Sequence, residues 1–151
     1  MPLQPLKENR SPISNAVASI RAALMSAFGL GLLILVNGIQ MLSLLVRPFS
    51  TRAFRKINRA CADAWWGMCV SGAKRLNGSQ ILVTGADIPF REDAIVVSNH
   101  QQMPDITTIM AFAKTKGRLG DLKFFVKDIL KWVPGVGWGM LFLDCLFIKR
   151  N

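Results

Sequence analysis

The chain has 151 residues, 51% of them hydrophobic and only 19% charged, yet its formal net charge is +10. One domain's worth of sequence that is both apolar and basic fits an anionic lipid surface better than free solution. Three cysteines without a Cys-x-x-Cys spacing argue against a disulfide framework, and a single histidine argues against zinc, so reduced structural thiols and no metal are expected.

Residues 1–15 hold Pro2, Pro5 and Pro12 among scattered polar residues and are expected to form a disordered tail. From residue 22 to residue 46 no side chain is charged. At about 1.5 Å rise per residue, such a run is long enough to cross a bilayer as a helix. Gly29, Gly31, Asn37, Gly38 and Gln40 weaken it and leave open a kinked helix that dips into one leaflet. The run is longer than the apolar region of a signal peptide, and no small-x-small cleavage site follows promptly, so an uncleaved anchor is expected. Arg47, Arg52, Arg55, Lys56 and Arg59 follow before the first acid, Asp63, whereas only Lys7, Arg10 and Arg21, near Glu8, precede the run. The heavier basic flank places the downstream chain on the cytoplasmic side.

Arg47-Pro48 ends the first helix. A second is expected over residues 51–70, where Phe54, Ile57, Cys61, Trp65 and Met68 recur at steps of three and four on one face. It is either an amphipathic core helix or a second arm on the membrane with its arginines on lipid phosphates. Gly72 to Gly78 end it. Residues 16–76 are therefore expected to be membrane-anchoring helices, and residues 77–151 change character. Strand candidates at 80–84, 94–98, 122–126 and 146–149 alternate with helices at 106–114 and Asp128–Trp132, the last broken by Pro134-Gly135. A turn-rich link at 85–93 and a basic loop at 114–118 join them. The expected fold class is α/β: an N-terminal membrane helix or helical hairpin followed by an incomplete mixed α/β domain.

Chemistry concentrates at Asn99-His100-Gln101-Gln102-Met103-Pro104-Asp105. Val96 and Val97 suit a strand, and Pro104 fits the first turn of a helix. A strand end facing a helix start lets the lone imidazole meet the Asp105 carboxylate. A neutral histidine whose second nitrogen is held by an aspartate is a general base for a hydroxyl. Alone, His-x4-Asp is a weak signal, since a helix-start aspartate near a core histidine gives the same pattern.

Two further blocks stand downstream: Phe125-Val126-Lys127-Asp128 leading into Trp132-Val133-Pro134-Gly135-Val136-Gly137-Trp138, then Phe147-Ile148-Lys149-Arg150. Together with Asn99-His100-x4-Asp105, these resemble the glycerolipid acyltransferase family, whose best-known members are the 1-acyl-sn-glycerol-3-phosphate acyltransferases. The resemblance runs from about Gln80 to the chain end and more loosely over the anchor. It implies that His100 takes the proton from the free hydroxyl of a lysophospholipid while Asp105 orients the ring. It implies that Arg150, matching the arginine of a Gly-x-x-Phe-Ile-x-Arg motif, binds the acceptor phosphate with help from Lys127. Asp144 stands where that motif begins with glycine, which questions the backbone geometry there. The implied donor is acyl-CoA or acyl carrier protein as co-substrate, with no cofactor. The 132–148 stretch is expected to be a buried wall near an acyl-chain groove, and the 114–118 loop a solvated loop or a contact for donor phosphates. The family's third motif, resembling Glu-Gly-Thr-Arg, is expected beyond position 151. On that reading the chain is an N-terminal portion, inactive as it stands.

The leading expectation is thus a membrane-bound O-acyltransferase with its active site facing the cytoplasm. Its expected partners are membrane lipids, the acyl donor and a lysophospholipid acceptor. The rival is a non-catalytic, membrane-anchored basic module binding anionic lipid or a partner. No nucleic-acid partner is expected, because the basic residues flank the apolar run and form no groove-reading helix.

Overall fold

The computed structural model describes residues 11–77 and 81–149. The chain divides into two units, residues 1–32 and residues 33–151.

The first unit consists, from Ser11 on, of the N-terminal part of α1 (Pro12–Ser43). Ser11 caps the helix, its hydroxyl accepting from the Ser14 amide at 3.2 Å, and Pro12 occupies the first turn, where its missing N–H costs nothing. The helix thus begins inside the segment expected as a tail, and residues 1–10 lie outside the described part. Ile13, Val17, Ile20, Leu24 and Phe28 are all exposed. Among the described residues α1 is the one helix long and apolar enough to cross a membrane.

The second unit begins with the end of α1. A turn over residues 44–49 leads to α2 (Thr51–Asn77), whose first turn is capped by Ser50, the hydroxyl accepting from the Ala53 amide at 3.1 Å. The two helices meet across a polar seam. Asn37, Gln40, Ser43 and Asn58 are buried, and Asn58 Nδ2 donates to Ser43 Oγ at 2.8 Å and to the Phe54 carbonyl at 2.9 Å. The side-chain carbonyl oxygens of Asn37, Gln40 and Asn58 find no protein partner there. Amide side chains gluing helices together suit an apolar surrounding, where each alternative partner is scarce. Asn58→Asp buries an uncompensated carboxylate and is expected to destabilise by about 3 kcal/mol or more. Asn58→Leu also removes the unpartnered oxygen and is expected to cost only about 1 kcal/mol. Thermal unfolding of both variants in one detergent will order them.

The buried face of α2 is Phe54, Asn58, Cys61, Ala62 and Trp66. Phe54 and Cys61 fall on the expected stripe, and Trp65, also on it, packs half-buried against the core, whose more deeply buried tryptophan is Trp66. The small Ala62 lets Leu119 approach, and Trp66 sets its edge to Phe124 at 5.6 Å between centroids. The helix also runs past Gly72, because one glycine weakens but does not break a helix, and Lys74 and Arg75 favour its C-terminal dipole.

After α2 come α3 (Met103–Thr115), a 3-10 turn (Leu119–Asp121), β1 (Phe125–Lys127), a second 3-10 turn (Asp128–Trp132), α4 (Val136–Phe142) and β2 (Leu146–Ile148). β1 and β2 pair in parallel, Phe125 with Leu146, Val126 with Phe147 and Lys127 with Ile148. The helical connection between them makes a short β-α-β unit. The second unit is therefore mostly helical, and its sheet is smaller than the α/β reading predicts. Of the four strand candidates only the last two form, the third displaced to Phe125–Lys127 and the fourth shortened to Leu146–Ile148. Residues 81–84 and 94–98 form no strand, with Ile95 and Val97 89% and 90% exposed. Alternation alone does not make a strand: the backbone needs a neighbour to pair with, and none lies beside these segments among the described residues. The 132–148 stretch is not a continuous buried wall either. Trp132 is exposed, and α4 inserts where the sequence suggested only a break after Pro134-Gly135.

Asp144 turns the chain from α4 into β2 with φ 56°, in the left-handed region. Aspartate is one of the few non-glycine residues that tolerate it. Aspartate thus makes this corner without glycine. The added carboxylate lies 3.8 Å from Arg55 Nε and 3.6 Å from Lys123 Nζ.

Candidate active site

The segment carrying His100 is held at both ends. Upstream, Lys116 donates to Asp87 at 2.8 Å, Arg118 bonds Asp93, and the Arg91 amide donates to the Lys116 carbonyl at 3.1 Å. Lys116 and Arg118 lie just beyond the C-terminal end of α3. Downstream, residues 101 and 102 bond to Asp105 at the helix start. Residues 94–100 therefore run back along the length of α3, about 20 Å at 1.5 Å per residue, and deliver His100 to its N-terminus. The basic loop is absorbed in this tether: Lys114 reaches Ser71, Lys116 reaches Asp87, and Arg118 reaches Asp93 and Asp121. The complementary acids Asp87 and Asp93 were the sequence signal for that role.

At the helix start Gln102 is the N-cap, in extended backbone, and Pro104 lies in the first turn. Asp105 is the third helical residue, so its carboxylate reaches back over the open amides. A single oxygen, Oδ2, accepts from the Gln101 amide at 2.7 Å and the Gln102 amide at 2.8 Å, and lies 3.3 Å from His100 Nδ1. The sequence pairing of His100 with Asp105 is thus seen directly. What it missed is that the same oxygen also fixes the turn.

This arrangement sets the chemistry of the ring. A carboxylate oxygen 3.3 Å from Nδ1 favours the tautomer protonated there, which leaves on Nε2 a lone pair that can take a proton from an alcohol. The imidazole is 49% and the carboxylate 40% exposed, so the pair is open to solvent. The Gln102 amide foremost, then the Gln101 amide and to a smaller extent His100, hold the Asp105 carboxyl below its ordinary range. A lowered carboxyl pKa stabilises the fold above its unfolded value, about 3.9, and the contribution disappears as pH falls through the lower folded value. The Asp105 side-chain carboxyl shift is accordingly expected to titrate with a midpoint below the ordinary aspartate value of about 3.9. A midpoint at or above that value would contradict the arrangement.

Lys127 ends β1, exposed, beside Ile148 in the register, so Lys149 follows at the same carboxyl edge of the parallel pair. That edge is where open parallel sheets present ligand-binding groups. Arg150, the other predicted phosphate ligand, lies outside the described residues. No hydrogen bond or ion pair among the described residues joins Lys127 to His100 or Asp105. Cys61 and Cys145 are buried and Cys69 partly so, and burial pushes the Cys145 thiol up, away from the reactive thiolate. Among the described residues no group of three or more His, Cys, Asp or Glu side chains is placed to hold a metal ion.

The Acyltransferase family model matches residues 80–151. Among curated proteins, the chain is similar to 1-acyl-sn-glycerol-3-phosphate acyltransferase 2 of Brassica napus, 34% identical over 132 positions that cover 81% of this chain and 34% of the relative. The Arabidopsis thaliana protein of the same name is 33% identical over 132 positions, again 81% and 34%. 1-acyl-sn-glycerol-3-phosphate acyltransferase delta of Mus musculus is 31% identical over 122 positions, 78% of this chain and 32% of the relative. The chain thus spans about a third of the length of the curated relatives it matches. No solved structure gives a significant match.

Proposed function

Because the chain belongs, through residues 80–151, to the acyltransferase family, we propose that the protein moves a fatty acyl group from a thioester donor to the free hydroxyl of lysophosphatidic acid or a related lysophospholipid. The observation that carries this reading is the contact of His100 Nδ1 with the Asp105 carboxylate at 3.3 Å. His100 Nε2 takes the hydroxyl proton as the oxygen attacks the thioester carbonyl. Asp105, ionised, holds the ring and stabilises the imidazolium that forms. The C–S bond then breaks, and the imidazolium returns its proton to the leaving thiolate, so no acyl-enzyme forms and no thiol nucleophile is needed. The names of the similar proteins support the acceptor, a 1-acylglycerol 3-phosphate. The proposed donor is acyl-CoA or acyl carrier protein, the thioester carriers that the family resemblance implies. Lys127 at the carboxyl edge of β1, with Arg150, is the proposed holder of the acceptor phosphate.

The same reading divides the protein into an anchor over residues 16–76 and an acyltransferase part from residue 77. The anchor lies in the membrane, and the site faces the cytoplasm. The exposed apolar surface of α1 and the cations from Arg47 to Arg59 support this placement. The full-length protein in membranes, given 1-oleoylglycerol 3-phosphate and oleoyl-CoA, is expected to release free thiol and form phosphatidate in equal amounts. Thiol release without phosphatidate would refute the acceptor. Lipid binding with neither product would favour the non-catalytic membrane module.

A further inference from the structure

We propose that the groove between α1, α2 and α4 holds a phospholipid of the bilayer, one acyl chain in the groove and its phosphate on Arg47. The groove encloses about 470 Å³, within the range of sites that bury small ligands. Its apolar wall is Met41 of α1, Leu44 of the following turn, Phe54 of α2, and Trp138, Leu141 and Phe142 of α4. The polar lining residues are Arg47 and Asp144. The two are not equivalent. Asp144 is flanked by Arg55 and Lys123, whereas Arg47 forms no ion pair among the described residues. The Arg47 guanidinium lies 5.5 Å from the centre of the Phe54 ring, which holds its planar fork at the groove. The mouth is therefore net positive, and an exposed guanidinium fork matches a phosphate.

The surroundings select a lipid as occupant. Leu45 and Phe49, on either side of Arg47, are 70% and 91% exposed, and Leu42 of α1 is exposed beside them. The groove thus continues the outward apolar surface of α1, with a cation set among hydrocarbon side chains at headgroup depth. No residue of the 99–105 segment lines it, so it is distinct from the His100 site. The inference rests on the membrane placement of α1 proposed above and does not depend on acyl transfer.

Trp138 supplies the probe. Full-length protein in detergent is titrated with phosphatidylglycerol or phosphatidylcholine carrying brominated chains, and the Trp138 signal is taken as the difference between wild type and Trp138→Phe. Trp138 is expected to be quenched at about fivefold lower phosphatidylglycerol than phosphatidylcholine, the preference one cation near a lipid headgroup supplies. Arg47→Lys should keep that preference and Arg47→Gln abolish it while leaving quenching by phosphatidylcholine. Equal quenching by both lipids, an unquenched Trp138, or a preference that survives Arg47→Gln would overturn the proposal. So would displacement of the brominated lipid by lysophosphatidate, which would make the groove the acceptor's own site. Carbonate extraction separates the two levels: a protein released from membranes would sink the membrane placement itself, whatever the quenching shows.

Discussion

His100→Ala is expected to lower acyl transfer by about 10²–10⁴-fold, the contribution of a positioned general base. The imidazole is half exposed and its one observed partner is Asp105, so its loss opens no core cavity, and stability should change by no more than about 0.5 kcal/mol. Because the ring acts on the proton in flight and does not hold the acceptor phosphate, kcat and kcat/KM should fall together, with KM nearly unchanged. Asp105→Asn is the informative companion. An amide oxygen can still accept the Gln101 and Gln102 amides, so the helix start persists, but the charge that steadies the imidazolium is gone. Activity should drop by a comparable order while circular dichroism stays the same. Steady-state kinetics on the full-length protein check both variants. Retention of more than a tenth of wild-type turnover by His100→Ala would remove the ring from the chemistry.

Gly137→Val is expected to be the most damaging single change to the fold outside the α1–α2 seam. A Cβ at this buried position would stand 2.1 Å from the Leu130 carbonyl oxygen and 2.8 Å from backbone atoms of Lys131. Those atoms belong to the 3-10 turn that leads from β1, so relief requires the turn to move away from α4, and no rotamer change suffices. Overpacking of this kind costs about 1–3 kcal/mol or more. For a domain of this size that is on the order of 5–10 °C in melting temperature. Gly38→Val makes the control, because a Cβ there meets nothing within 4 Å. Melting curves in the same detergent should separate the two clearly. If the Gly137 variant melts with the control, the close approach of α4 to the preceding turn is wrong.

The sequence made the His100–Asp105 contact legible because the determinants are local: a carboxylate five residues on, with Pro104 in the first helical turn, can only fold back over the helix start. The two N-terminal helices were legible, the amphipathic second from the spacing of Phe54 and Cys61 and the apolar first from the uncharged run before Arg47. The exact face was not. Trp65 and Trp66 are adjacent and equally apolar, both pack on the core, and the edge contact with Phe124 goes with the deeper burial of Trp66. The segments at 81–84 and 94–98 have strand composition, but pairing is a property of two segments, and one string of β-branched residues does not reveal whether a partner lies beside it. The tether of Lys116 and Arg118 escaped for a related reason. It joins residues some 25 to 29 positions apart, beyond any local periodicity, and a basic loop looks solvated until its acids are found.

The corner at Asp144 has a wider consequence. Its left-handed backbone admits few residue types: glycine fits freely, aspartate and asparagine at small cost, and a branched side chain hardly at all. A lineage can therefore exchange glycine for aspartate there without disturbing how α4 hands over to β2. The exchange gives a purely conformational position an electrostatic clasp on Arg55 and Lys123, so a mismatch with a consensus pattern at this site is weak grounds for discounting a sequence.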